Sequence, residues 1–167
     1  MAYPQQAPAF GPPAAQAPTA GPMPPNMHWA VVLILTWITV GLAGLIWCFK
    51  EASFVKKIDP ASKARTLLVA TLLGMVAQVA LYFVALSSGS ATTLAAIGMV
   101  VMVLNLVMMV LGLVAIFGMR ASMVRYYNTV EPMGLRLSGV MTFFFNILYF
   151  QYHFSRIAGW KKTGILR

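Results

Sequence analysis

Trp29 to Phe49 reads WAVVLILTWITVGLAGLIWCF, twenty-one residues with no charged side chain. As one helix it is about 31 Å long, enough to cross a hydrocarbon core of about 30 Å. Trp29 and Trp47 stand eighteen residues apart, which on a helix is about 27 Å and suits two indoles in opposite interfacial belts. The run therefore predicts a membrane span. Lys50 follows at once, and Phe54 with Ile58 continue an apolar stripe beside Lys56 and Lys57, so the helix is expected to run on along the membrane surface. Asp59-Pro60 stops it, and the same pair can open the next helix with Asp59 as N-cap and Pro60 in the first turn.

The rest of the chain repeats the theme. Of its 167 residues, 60% are hydrophobic and only 9% are charged, and the mean hydropathy is +0.79. Soluble domains carry about 25% charged residues, so there is too little polar surface here to face water. Further apolar segments cover residues 66–86, 94–118 and 137–157, and SSGSATT at 87–93 is a turn short enough to demand an antiparallel hairpin. Residues 1–27 hold eight of the ten prolines and no charged side chain, a composition that predicts a disordered tail rich in Pro, Ala and Gln, either a tether or a ligand for a Pro-reading partner. The expected fold is all-α, a membrane-embedded bundle of about four transmembrane helices over residues 28–167.

Charge distribution bears on orientation. The net charge is +9, but its Lys and Arg fall in clumps: none in the tail, five from Lys50 to Arg65, none in SSGSATT, three from Arg120 to Arg136 and four from Arg156 onward. Clumps between apolar runs point to juxtamembrane charge meeting anionic lipid, and away from nucleic acid. The last segment admits two geometries. Ser138, Thr142, Asn146, Tyr149, His153 and Arg156 share one helix face, which suits a fourth span facing a bundle or a helix lying in the interface. The narrow, nearly uncharged polar face favours the span.

Two sets of side chains stand out. Gln78, Asn105 and Asn146 each fall near the middle of an expected span, and an unpaired amide in hydrocarbon costs several kcal/mol. Mutual pairing is the expectation, either as a structural knot or as a polar site for a small solute or ion. Gly41 and Gly44 on the first span, and Ala70, Gly74 and Ala77 on the second, make small-residue grooves that predict close helix contact. Cys48 alone cannot form an internal disulfide. The methionines of the third span sit among Val and Leu as packing, and no metal or other cofactor is expected.

Thr39 to Trp47, with the pattern T-x-G-x-x-x-x-x-W, resembles the opening helix of a bacterial family of short multi-pass membrane proteins known as a domain of unknown function, and Asn146 to Arg156 (NILYFQYHFSR) is similar to its closing helix. The resemblance implies a small helical bundle with a low-complexity tail in the bacterial inner membrane, and no activity. Three acids, two histidines and one cysteine leave little for catalysis. The expectation is a non-enzymatic scaffold, accessory subunit or partner-binding component touching lipid and either a second copy or another membrane protein. A small oligomeric transporter or channel built on the three amides is the alternative.

Overall fold

The computed structural model describes residues 21–163, which form five helices: α1 (Trp29–Ile38), α2 (Leu42–Ile58), α3 (Ala64–Ser87), α4 (Ala91–Thr129) and α5 (Gly139–Thr163). Most of the expected tail, residues 1–20, lies outside the described residues.

Two of the four expected spans fall on continuous helices. α3 and α4 are each long and apolar enough to cross a membrane by length and composition. Gly89, at φ +61°, reverses the chain between them, and the Ser90 side chain caps α4 by accepting from the Thr93 amide. The Met108 side chain of α4 packs directly on Gly74 of α3, where a Cβ would stand 2.2 Å from Met108 Sδ. Yet only 11% of the most apolar window of each helix is buried. Leu73, Val76, Phe83, Met102 and Leu106 all face outward, whereas a soluble core helix would bury such residues.

The other two expected spans are interrupted. The 29–49 run breaks at Thr39-Val40-Gly41 in a Schellman turn: Gly41 donates to the Thr36 carbonyl at 2.7 Å and Val40 to the Trp37 carbonyl at 3.2 Å. Val40 sits at φ +52° and Gly41 at φ +93°. Thr39 Oγ1 donates to the Leu35 carbonyl and accepts from the Ala43 amide, so one hydroxyl closes α1 and opens α2. α2 then returns beside α1, with a Cβ on Gly44 falling 2.8 Å from the Thr36 side chain. Residues eight apart in one straight helix would be separated by about 12 Å.

α5 breaks at Asn146, whose backbone is non-helical and whose side-chain oxygen takes the Ile147 amide. The short arm folds back far enough for the Ser138 amide to donate to Tyr149 Oη at 3.0 Å; eleven residues of straight helix would span about 16 Å. Apolarity specifies an environment and says nothing of continuity, which is why both runs read as single spans.

Both hairpin tips are apolar and bare. Val40 is 95% exposed and Phe144 71% exposed, with Trp37, Ile38, Phe143 and Phe145 beside them. The core lies at the opposite end, where Phe54, Val55 and Ile58 of α2, Ala64 and Leu68 of α3, Met119, Met123 and Tyr127 of α4 and Phe150, Phe154 and Ile157 of α5 form one cluster. α4 reaches it because it continues past Gly118 to Thr129. The basic clumps gather around this cluster: Arg125 pairs with Asp59, Arg120 donates to the Leu137 carbonyl, and Lys161 pairs with Glu131.

Several local expectations change. Asp59 is the C-cap of α2, and α3 starts only at Ala64, so Pro60 lies in the connecting turn. Gly74 lies under the Met108 side chain of α4, Gly44 lies against Thr36 within what reads as one span, and Gly41 serves the turn. Ala70 and Ala77 are exposed, because α3 buries the neighbouring strip carrying Gln78 and Ala85.

Gly41→Ala has open space around it, yet its positive φ makes the substitution strained. Unfolding in detergent micelles should show a loss of about 1–2 kcal/mol. Gly98→Ala, in an open helical position, should gain about 0.5–1 kcal/mol.

Candidate functional site

The best-built polar constellation lies where α5 meets the segment preceding α1. Gln151, fully buried, accepts from Trp47 Nε1 at 2.8 Å through its side-chain oxygen. Its amide nitrogen donates to the Met27 carbonyl, with the Pro25 carbonyl and Ser155 Oγ also in reach. Ser155 Oγ donates to the same Met27 carbonyl at 3.2 Å. One amide thus joins the chain before α1 to a tryptophan on α2, which a straight helix over 29–49 would hold about 30 Å apart.

Nearly three turns beyond Gln151 along α5, Lys161 Nζ donates to the Pro22 carbonyl at 3.1 Å and to Glu131 Oε1 at 2.9 Å. Both side chains of this ion pair are buried, and Tyr126 Oη adds a 3.1 Å bond to the same carboxylate oxygen. Gly21 packs so tightly that a Cβ would collide with Glu131 Oε1 at 1.7 Å. Residues 21–28 therefore form an extended strap whose carbonyls, having no helix partner of their own, are taken by α5. Pro-rich backbone suits this because it offers acceptors and few donors.

The sequence does not mark Gln151 and Ser155 as a site, because they sit beside the polar stripe of α5, not on it. The available signal was an amide and a hydroxyl four apart in an aromatic-rich helix. Trp47 and Gln151 come from the two short motifs quoted above, and the structure bonds them to each other.

Among the described residues no hydrogen bond joins the three expected amides. Gln78 is buried with its Nε2 unpartnered. Asn105 is exposed and donates back to the Val101 carbonyl of its own helix at 3.0 Å. Asn146 serves the kink. Each amide is occupied by local backbone or by none, because the helix carrying Asn146 breaks at that very residue.

Two carboxyls differ sharply. Asp59 accepts from Ser122 Oγ at 2.6 Å and pairs with Arg125, and these contacts, the serine bond foremost, hold it below the usual aspartate range. Glu51 is 0% exposed with neither oxygen partnered, and burial pushes it well above its ordinary 4.5. No group of three His, Cys, Asp or Glu that could hold a metal occurs among the described residues. Comparison with protein families, curated proteins and solved structures returned no match.

Gln151→Leu strands Trp47 Nε1 and leaves the Met27 carbonyl with Ser155 Oγ as its donor. It should cost about 2–3 kcal/mol in micelles and hasten proteinase K trimming of residues 21–28, while Trp47→Phe in the same background should add less than it does alone. Glu51 has the opposite pH signature to Asp59. Its folded value is raised, so its contribution is intact below the unfolded value near 4.5 and is lost as pH rises above it. Glu51→Gln should therefore raise Tm relative to wild type at pH 7–8, with the gain vanishing toward pH 4.

Proposed function

We propose that this chain is a non-enzymatic integral membrane scaffold in which only α3 and α4 cross the bilayer, while the α1–α2 hairpin and the short arm of α5 enter one leaflet and return. The observation that carries this reading is the return of both broken helices toward the single end where the charged residues gather. α1, with ten residues, is about 15 Å long, half of the hydrocarbon thickness. Its bare tip at Val40 suits hydrocarbon, and the Thr39 and Schellman bonds supply the backbone partners that lipid cannot.

This arrangement places every Lys and Arg of the described residues on one face of the membrane, with SSGSATT alone on the other. The four-span bundle leaves four of the twelve charges on the far side in its better orientation. The positive-inside rule thus favours two crossings with the basic face in the cytoplasm. One leaflet would then hold both hairpins besides α3 and α4, and the other would hold α3 and α4 alone. Such a wedge widens one leaflet, which is a mechanical function needing no acid, base or nucleophile.

The alternative of an oligomeric transporter draws on Gln78, whose buried Nε2 lacks a partner, and on Asn105, an amide turned outward on an apolar helix. A second copy of the chain could satisfy both without any pore.

Topology decides the main reading. With Cys48 replaced by Ser, single cysteines at Met23, Lys63 and Lys162 should react with a membrane-impermeant thiol reagent from one side and Ser88 from the other. Met23 opposite Lys63, with Ser88 and Lys162 on one side, would instead establish four crossings. Insertion into preformed vesicles with the basic end outward should reduce their mean diameter as the protein-to-lipid ratio rises, and an unchanged diameter would remove the wedge.

A further inference from the structure

A cleft of about 600 Å³ opens between the strap, one face of α2 and the first turn of α3. Its rim carries Lys50, Lys57 and Arg65, and its floor is Ile46, Phe49 and Phe54. No acidic side chain lines it. The ion pairs among the described residues, Arg125 with Asp59 and Lys161 with Glu131, involve none of the three cations. Lys50 instead lies over the Trp47 ring at 4.9 Å, and all three cations are exposed.

The order of residues along α2 gives the cleft a direction. Leu42, Ile46, Phe49, Lys50 and Lys57 follow one face at spacings of four, three, one and seven, so the face runs from apolar to basic as it leaves the hairpin tip. Leu42 and Ile46 are both exposed, which keeps the floor continuous with the outward apolar surface of the hairpin. A soluble anion would use the rim and leave the floor bare. A peptide would find only the Ser53 hydroxyl as a neutral side-chain partner in the lining, too little to hold an extended backbone.

We propose that this cleft binds one anionic glycerophospholipid, with the phosphate between Lys57 and Arg65 at the rim, Lys50 beside it, and an acyl chain along Ile46 and Phe49. The proposal rests on the membrane reading and adds a defined, saturable site to it. Three cations with no carboxylate partner supply charge-assisted hydrogen bonds to one phosphate, and the chain floor makes the headgroup's position depend on its tail. Bound lipid would bridge α2, α3 and the strap, so that occupancy tightens the join between the leaflet hairpin and the crossing helices.

The full chain in a non-ionic detergent, titrated with dioleoyl phosphatidylglycerol or dioleoyl phosphatidylcholine and read by native mass spectrometry, tests this. The expected result is one phosphatidylglycerol bound at least tenfold more tightly than phosphatidylcholine, reduced at least tenfold by Lys57→Gln/Arg65→Gln and unchanged by Lys162→Gln. Ile46→Ser should weaken phosphatidylglycerol binding without touching the cations, which keeps the proposal testable if the double variant unfolds. Equal binding of the two lipids would overturn it. So would a Lys162→Gln loss equal to that of the double variant, which would mean diffuse charge attraction. Competition by sn-glycerol 3-phosphate as effective as the whole lipid would also overturn it, showing a free-phosphate site. Crossing number is read independently by cysteine labelling, so failure of the lipid site and failure of the two-crossing topology are distinct results.

Discussion

A backbone that stops being helical exposes amides and carbonyls, and in hydrocarbon no water can take them. The two places where this chain breaks its apolar runs are built around that constraint. At Thr39-Val40-Gly41 the Schellman bonds close α1, and the Thr39 hydroxyl serves both helices at once. At Asn146 the side-chain amide takes the next backbone N–H, and Tyr149 receives the Ser138 amide. On the proposed two-crossing reading, satisfying those groups is what would let the chain reverse within a leaflet. Val40 at positive φ costs about 1–3 kcal/mol, which the surrounding bonds must offset, and its bare isopropyl group is suited to hydrocarbon.

Reversal alone leaves two loose hairpins. Gln151 makes them one body by bonding the strap before α1 and Trp47 of α2 simultaneously, and the buried Glu131–Lys161 pair ties the strap's start to α4's exit and α5's end. These contacts lie at the charged end with the main core, and the α3–α4 hairpin projects from that core with its apolar sides uncovered. The architecture is therefore polarised: a packed, basic base and three apolar projections, one long and two short. Buried polar groups do most of the specifying at the base, where Asp59, Ser122 and Arg125 also meet.

Much of this was legible in the residues. The α3–α4 hairpin followed from length, apolarity and the SSGSATT turn, and the basic clumps and the strong stop at Asp59 followed from composition. The breaks were not. Thr39-Val40-Gly41 makes the turn, yet Gly41 reads equally as a packing residue, because small residues in apolar runs serve both ends. Asn146 reads as a partner for Gln78 and Asn105, whereas its side chain is spent on its own backbone. Little in the sequence marks Gln151, because its burial depends on a strap whose course is a tertiary fact. Periodicity locates faces, and it is blind to a reversal that preserves apolarity on both sides.

The central claim is that α1 and α2 are two arms of a hairpin and not one span. Nitroxide labels at Val31 and Lys50, in the full chain reconstituted into phosphatidylglycerol-containing bilayers, measure it by double electron–electron resonance. The hairpin predicts a distance distribution below about 20 Å, since packed helix axes lie about 8–10 Å apart and the tethers add the rest. A narrow distribution near 28 Å, the length of nineteen helical residues at about 1.5 Å each, would show one straight helix and contradict the account.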